Sequence, residues 1–134
     1  MIAFLAAIIL FGVIVLAVLT RFKPQRQARL DQRFFQLQWA ELLARVKTPE
    51  GMILAVVDAD KLLDHALRKR HFKGKTMGER LVSAQRIISD NDSVWYAHKL
   101  RNRLVHEPNV KLKKKEAQAA LAGFRQGLKD LGAL

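Results

Sequence analysis

The first stretch of the chain, MIAFLAAIILFGVIVLAVLT, carries no charged side chain, and charge begins at Arg21. A run that is apolar on every side has no polar face to turn to water. At about 1.5 Å per residue it matches the ~30 Å hydrocarbon core of a bilayer. The pattern predicts a transmembrane helix over residues 1–20. No Lys or Arg precedes the run, and Leu19-Thr20-Arg21-Phe22-Lys23 is no small-x-small cleavage site, so the helix reads as an anchor rather than a removed signal peptide. Residues 21–29 form a basic connector. Its Arg21, Lys23, Arg26 and Arg29 are expected at the membrane surface against anionic headgroups. By the positive-inside rule the protein is expected to be single-pass, with the N-terminus outside and the C-terminal domain in the cytoplasm.

From Leu30 the apolar positions recur at helical spacing. Leu30, Phe34, Leu37, Trp39, Leu42, Leu43 and Val46 form one stripe. Thr48-Pro49-Glu50 restarts the chain with an N-cap residue, a first-turn proline and an acid that suits the helix dipole. The helix it opens is expected to run to about His71, with Met52, Val56, Ala59, Leu63 and Ala66 on one face and Gly74 as terminator. Thr76-Met77-Gly78-Glu79 has capping-box spacing and opens a third helix. Asp90-Asn91-Asp92-Ser93 interrupts it and caps a fourth, over about Val94–His106, which Pro108 stops. A last helix, from about Lys113 to Leu131, turns Ala117, Ala120, Leu121, Phe124 and Leu128 inward. The pattern offers no strand. Residues 30–134 are therefore expected to form an all-α bundle of four to five helices behind the N-terminal transmembrane helix.

Charge sharpens this outline. The formal net charge is +12, from 24 Lys and Arg against 12 Asp and Glu. Such a surface attracts polyanions: nucleic acid, nucleotides or acidic lipid. The absence of cysteine removes disulfides, thiolate chemistry and cysteine zinc sites from consideration. No Gly-rich phosphate loop, Ser-His-Asp set or HExxH pattern occurs. Asp60 and Asp64 with a histidine have no specific metal-ligand spacing, and neither a metal nor a cofactor is expected.

The densest chemistry lies in Trp95-Tyr96-Ala97-His98-Lys99-Leu100-Arg101-Asn102-Arg103-Leu104-Val105-His106. Trp95, His98, Asn102 and His106 share one side of a helix, and Val94, Ala97, Leu100 and Leu104 share another that faces the core. An imidazole can move a proton near neutral pH, and a guanidinium can clamp a phosphate with two parallel hydrogen bonds. The two together suffice in principle for metal-free RNA cleavage, in which His deprotonates the 2′-hydroxyl and Arg stabilises the charge growing on phosphorus. Trp95 or Tyr96 could stack a base. An Asp of the second helix, where Asp58, Asp60 and Asp64 sit, would orient Arg101 if it faced it. Asp64 and Arg68 are spaced to pair. The competing reading is a solvated helix face on which His98 and His106 cap carbonyls or pair with acids.

Arg101-Asn102-Arg103-Leu104-Val105-His106 resembles the R-N-x-x-x-H form of the Arg-x4–6-His motif of HEPN domains. These are small helical bundles that often dimerise. Many are metal-independent ribonucleases, and others are non-catalytic RNA or nucleotide binders. The resemblance implies Arg101, Asn102 and His106 as catalytic residues, in a cleft commonly formed between two protomers. His98, Trp95, Lys99 and Arg103 would then assist RNA or nucleotide binding. Where many active members carry a tyrosine two residues past the His, this chain has Pro108. The expected partners are thus the lipid membrane, RNA or a nucleotide, a second copy of the chain and a protein the residues do not identify. If the chain is an enzyme, the expected activity is metal-independent endoribonuclease. The alternative is a non-catalytic membrane-tethered module that docks a protein or the lipid surface.

Overall fold

The computed structural model describes residues 1–21 and 28–134. Among them there is no strand. Six helices follow one another: α1 (Ile2–Arg21), α2 (Gln32–Ala44), α3 (Pro49–Lys69), α4 (Met77–Ala84), α5 (Asn91–His106) and α6 (Lys114–Asp130).

Helices α2 to α6 form a bundle around α3, which packs against each of the other four. The reason is its composition. Ala55, Val56, Ala59, Leu62, Leu63, Ala66 and Leu67 are all buried, a stripe wide enough to meet neighbours on several sides. The closest partnership is between α5 and α6. There Gly123 lets the backbones approach: a Cβ at that position would lie 2.6 Å from the Ser93 carbonyl oxygen. Phe35, Trp39 and Leu42 of α2 and Phe124 and Leu128 of α6 complete the core. The C-terminal residues Leu131 and Ala133 are buried too, and the Leu131 carbonyl accepts a hydrogen bond from Arg70.

The local signals act as the sequence suggests. Thr48 caps α3 by accepting from the Gly51 N–H at 3.0 Å, with Pro49 in the first turn. Thr76 and Glu79 form the reciprocal capping box of α4. Asp90 caps α5, accepting from the Ser93 N–H at 3.0 Å and the Ser93 hydroxyl at 2.7 Å. One stop signal moved. Helix α3 ends in a Schellman-type turn in which His71, at φ 60°, takes the left-handed position. Gly74 instead serves the following turn, at φ 153°, where a Cβ would lie 2.7 Å from the Arg80 nitrogen.

The N-terminal segment departs from expectation. Helix α1 runs from Ile2 to Arg21 and is apolar along most of its length. Among the described residues, no helix is long and apolar enough to cross a membrane. The expected transmembrane helix is overturned on this ground. The single-pass localisation with N-terminus outside and C-terminal domain cytoplasmic falls with it. The surface role expected for Arg21, Lys23, Arg26 and Arg29 was derived from that span and loses its basis. Lys23, Arg26 and the side chain of Arg21 lie outside what the structure describes, and Arg29 is exposed. Phe4, Ile9, Phe11 and Leu16 of α1 are exposed, and α1 packs on no other described helix.

Candidate functional site

The candidate site is a cleft of about 580 Å³ between α3, α4 and α5. Each helix brings polar residues to it from a register that otherwise faces the core. On α3, Asp60 follows Ala59 and precedes Leu63 by three, so its carboxylate points inward and is buried with 2 % exposure. On α5, His98 follows the buried Ala97 and is itself buried. On α4, Arg80 occupies the buried face shared by Met77, Leu81 and Ala84.

A buried carboxylate without partners would be costly by several kcal/mol. Asp60 has two. Its Oδ1 accepts from His98 Nδ1 at 2.7 Å, and its Oδ2 lies 3.2 Å from Arg101 Nε. The second approach is an ion pair only, because the Nε–H is not aimed well enough at the oxygen to make a hydrogen bond. Arg101 Nη1 donates to Asn102 Oδ1 at 2.9 Å, and Asn102 Nδ2 stands 3.4 Å from His98 Nε2.

These contacts fix proton positions by elimination. A guanidinium only donates, so the Asn102 oxygen must face Arg101 and the amide N–H₂ must face His98. His98 Nε2 is then an acceptor, and the ring proton sits on Nδ1, toward the carboxylate. Asp60 thus orients an imidazole whose Nε2 lone pair faces the Asn102 amide, beside a guanidinium whose Nη2 has no protein acceptor among the described residues. Chemically, the group can hold one anion, and its imidazole can accept a proton once the Asn102 amide releases Nε2.

A second carboxylate network forms the opposite wall. Arg80 grips Asp64 with Nε at 2.7 Å and Nη2 at 3.0 Å, and gives Nη1 to the Gly74 carbonyl at 2.7 Å. Arg68 joins Asp64 at 2.8 Å, as the spacing suggested. Lys61 and Lys75 also line the cleft. Cations exceed carboxylates there, so the cleft favours an anion.

The structure brings together some of the residues singled out in the sequence and not others. Arg101, Asn102 and His98 line the cleft. His106 does not: it is exposed in the last turn of α5. Within one chain the Arg101 and His106 of the motif therefore do not share a cleft. Lys99 and Arg103 are exposed outside it. Trp95 is half-buried against the core, edge-on to His98 with ring centroids 5.9 Å apart. The far edge of its indole lies 3.5 Å from where a Cβ on Gly78 would be. It acts as a wall rather than an open stacking face, while Tyr96 is exposed. The helix side shared by Trp95, His98, Asn102 and His106 thus buries His98 and half-buries Trp95 and Asn102.

Sequence reading missed Arg80, Lys75 and Thr76 as parts of the cleft. For Arg80 a signal existed: it stands at core spacing between Met77 and Ala84, where an arginine implies a buried acidic partner. Among the described residues no group of three or more His, Asp or Glu side chains is arranged to hold a metal ion.

No family model, curated protein or solved structure matches the chain.

Proposed function

We propose that the cleft between α3, α4 and α5 binds the phosphate of RNA or of a nucleotide, with Arg101 as the clamp. The observation that carries this reading is the Asp60–His98–Asn102–Arg101 cycle, which leaves guanidinium donors on the rim of a cation-rich cleft. Arg101 is half-exposed, so it can meet a ligand without first leaving the core. Asp60 holds its charge in place at little entropic cost, and a fixed guanidinium fork suits phosphate oxygens.

The resemblance to HEPN domains points to the same ligand class through Arg101 and Asn102, with His106 as its third residue. The geometry favours His98 over His106 as the imidazole that meets the ligand. If the cleft also cleaves RNA, the Asn102 amide would release His98 Nε2 to take the 2′-hydroxyl proton while Arg101 stabilises the charge developing on phosphorus.

The test is fluorescence anisotropy of a labelled short RNA with the full chain in chelator, followed by gel analysis of the same mixtures. Arg101→Ala is expected to weaken binding at least about tenfold, the worth of one charge-assisted hydrogen bond. Neutralising Lys113 and Lys114 together is expected to cost less. Equal loss from both changes would make the binding a property of overall charge and defeat the proposal. Any cleavage should disappear with His98→Ala and persist with His106→Ala.

A further inference from the structure

The cleft does not end at Arg80. A shallow groove of about 660 Å³ continues from it over the α3–α4 turn, sharing Arg68, Lys75 and Arg80 and adding His71 and Lys73. The turn presents Lys73 and Lys75 outward and engages two of its carbonyls within the chain. The Gly74 carbonyl is drawn inward to Arg80 Nη1, and the Lys73 carbonyl accepts from Ser83 Oγ at 2.6 Å. Glu79, the one carboxylate of the groove, is occupied by the backbone N–H groups of Lys75 and Thr76. Backbone oxygens that would repel a phosphate are thus turned away from the surface. Lys73 and Lys75 are exposed, and among the described residues neither forms an ion pair with a carboxylate. In the turn His71 and Gly74 take positive φ, and Gly74 has no room for a side chain.

We propose that this turn is a second phosphate subsite, contiguous with the Arg101 cleft, so that the preferred ligand is a single strand carrying several phosphates rather than a mononucleotide. The inference rests on the reading of the Arg101 cleft as a phosphate site. Arg101 holds one phosphate, and Lys73 and Lys75 hold a neighbouring one further along the strand. Arg80, saturated by Asp64 and Gly74, positions the turn and contacts no ligand.

The experiment compares uridine monophosphate and hexauridylate as probes, each titrated into the full chain at several salt concentrations. The variants are Arg101→Ala and the double change Lys73→Ala/Lys75→Ala; both lysines are exposed, so folding is preserved. Hexauridylate is expected to bind at least about tenfold more tightly than the monophosphate. The double lysine change should remove most of that advantage. It should also flatten the salt dependence of hexauridylate binding, by roughly 0.7 in log–log slope for each phosphate of the single strand that is no longer neutralised. Monophosphate binding should weaken much less, because of the two lysines only Lys75 also lines the Arg101 cleft, and Arg101→Ala should weaken both probes. If the lysine change leaves hexauridylate affinity and slope intact while Arg101→Ala weakens both probes, the second subsite is wrong and the first reading stands. If the lysine change weakens the monophosphate as much as the hexamer, the two places are one site and the inference fails. If neither probe binds the unmodified chain, both readings fall.

Discussion

Asp60 and Asp64 stand one turn apart on the same side of α3, yet their surroundings are closed to different degrees. Around Asp64 all three side-chain nitrogens of the buried arginine are engaged. Arg80 gives two nitrogens to the carboxylate and the third to the Gly74 carbonyl, and Arg68 adds a second cation from outside. Around Asp60 the donors come from α5, and one of them is left over. His98 makes a short, well-formed hydrogen bond, but Arg101 approaches at an angle that makes only an ion pair, and its Nη2 finds no acceptor among the described residues. The residue types at the two places are nearly the same. A saturated, buried arginine pins two elements together, whereas an unsaturated one on the rim of a cleft is available to a ligand.

The sharpest way to break this comparison is to remove the saturated arginine. Arg80→Ala leaves Asp64, whose side chain is 14 % exposed, with only the exposed Arg68 as partner, and releases the α3–α4 turn. Breaking a buried pair from one side costs about 3–5 kcal/mol, so thermal denaturation should show a midpoint lower by more than about 10 °C. A change within a few degrees would mean that Asp64 reaches water easily and that the turn is not pinned.

Asp60→Asn comes next. Asparagine keeps an acceptor for His98 Nδ1 but deletes the charge facing Arg101, and a stability loss of about 2 kcal/mol in chemical denaturation is expected. Phosphate binding should weaken as well, because Arg101 is no longer held. Arg101→Ala should reverse the balance, with a stability loss of about 1 kcal/mol, since the pair is skewed and partly solvated, but the largest loss of ligand affinity of any single change. If Arg101→Ala destabilised the fold as much as Arg80→Ala, the two networks would be equivalent and the comparison would collapse.

The bundle was legible because each of its elements declares itself locally. Thr48-Pro49, Thr76–Glu79 and Asp90–Ser93 are caps whose mechanism needs no tertiary information, and the stripes on α3 and α6 have one side to bury. The site was legible only on one of its walls. Arg101, Asn102 and His98 are adjacent on one helix, so spacing alone gathers them. The partnership of His98 with Asp60 spans thirty-eight positions, and which of Asp58, Asp60 and Asp64 faces α5 depends on the rotation of α3 in the bundle. The motif paired Arg101 with His106 by separation along the chain. In the bundle, α5 turns His98 inward and leaves His106 exposed in its last turn. The apolar run at the N-terminus set the opposite trap. Hydropathy alone predicted a membrane span, yet no described helix has the length and apolarity to cross a membrane.

Smaller effects sharpen the contrast. Asp90, an exposed third carboxylate, has its carboxyl held below the ordinary 3.8 by the Ser93 hydroxyl first and the Ser93 backbone N–H second. A lowered carboxylate contributes stability that is present above about pH 4 and lost as the pH falls through the lowered value. Asp90→Asn keeps the cap but should flatten this acid limb slightly in pH-dependent denaturation. His106→Ala should be smallest of all, within about 0.5 kcal/mol of the unmodified chain, with no change in affinity for RNA.

The most direct measurement is a nuclear magnetic resonance titration of the isotope-labelled full chain with uridine monophosphate, following side-chain N–H signals. The Arg101 Nε–H and the Asn102 Nδ2–H₂ resonances should shift together and saturate at one concentration, with little movement at Lys111, Lys113, Lys114 and Lys115. Shifts centred on those lysines, with Arg101 and Asn102 unmoved, would contradict the account: the cycle around Asp60 would then be a second structural pin, and the polyanion attraction a property of the basic start of α6.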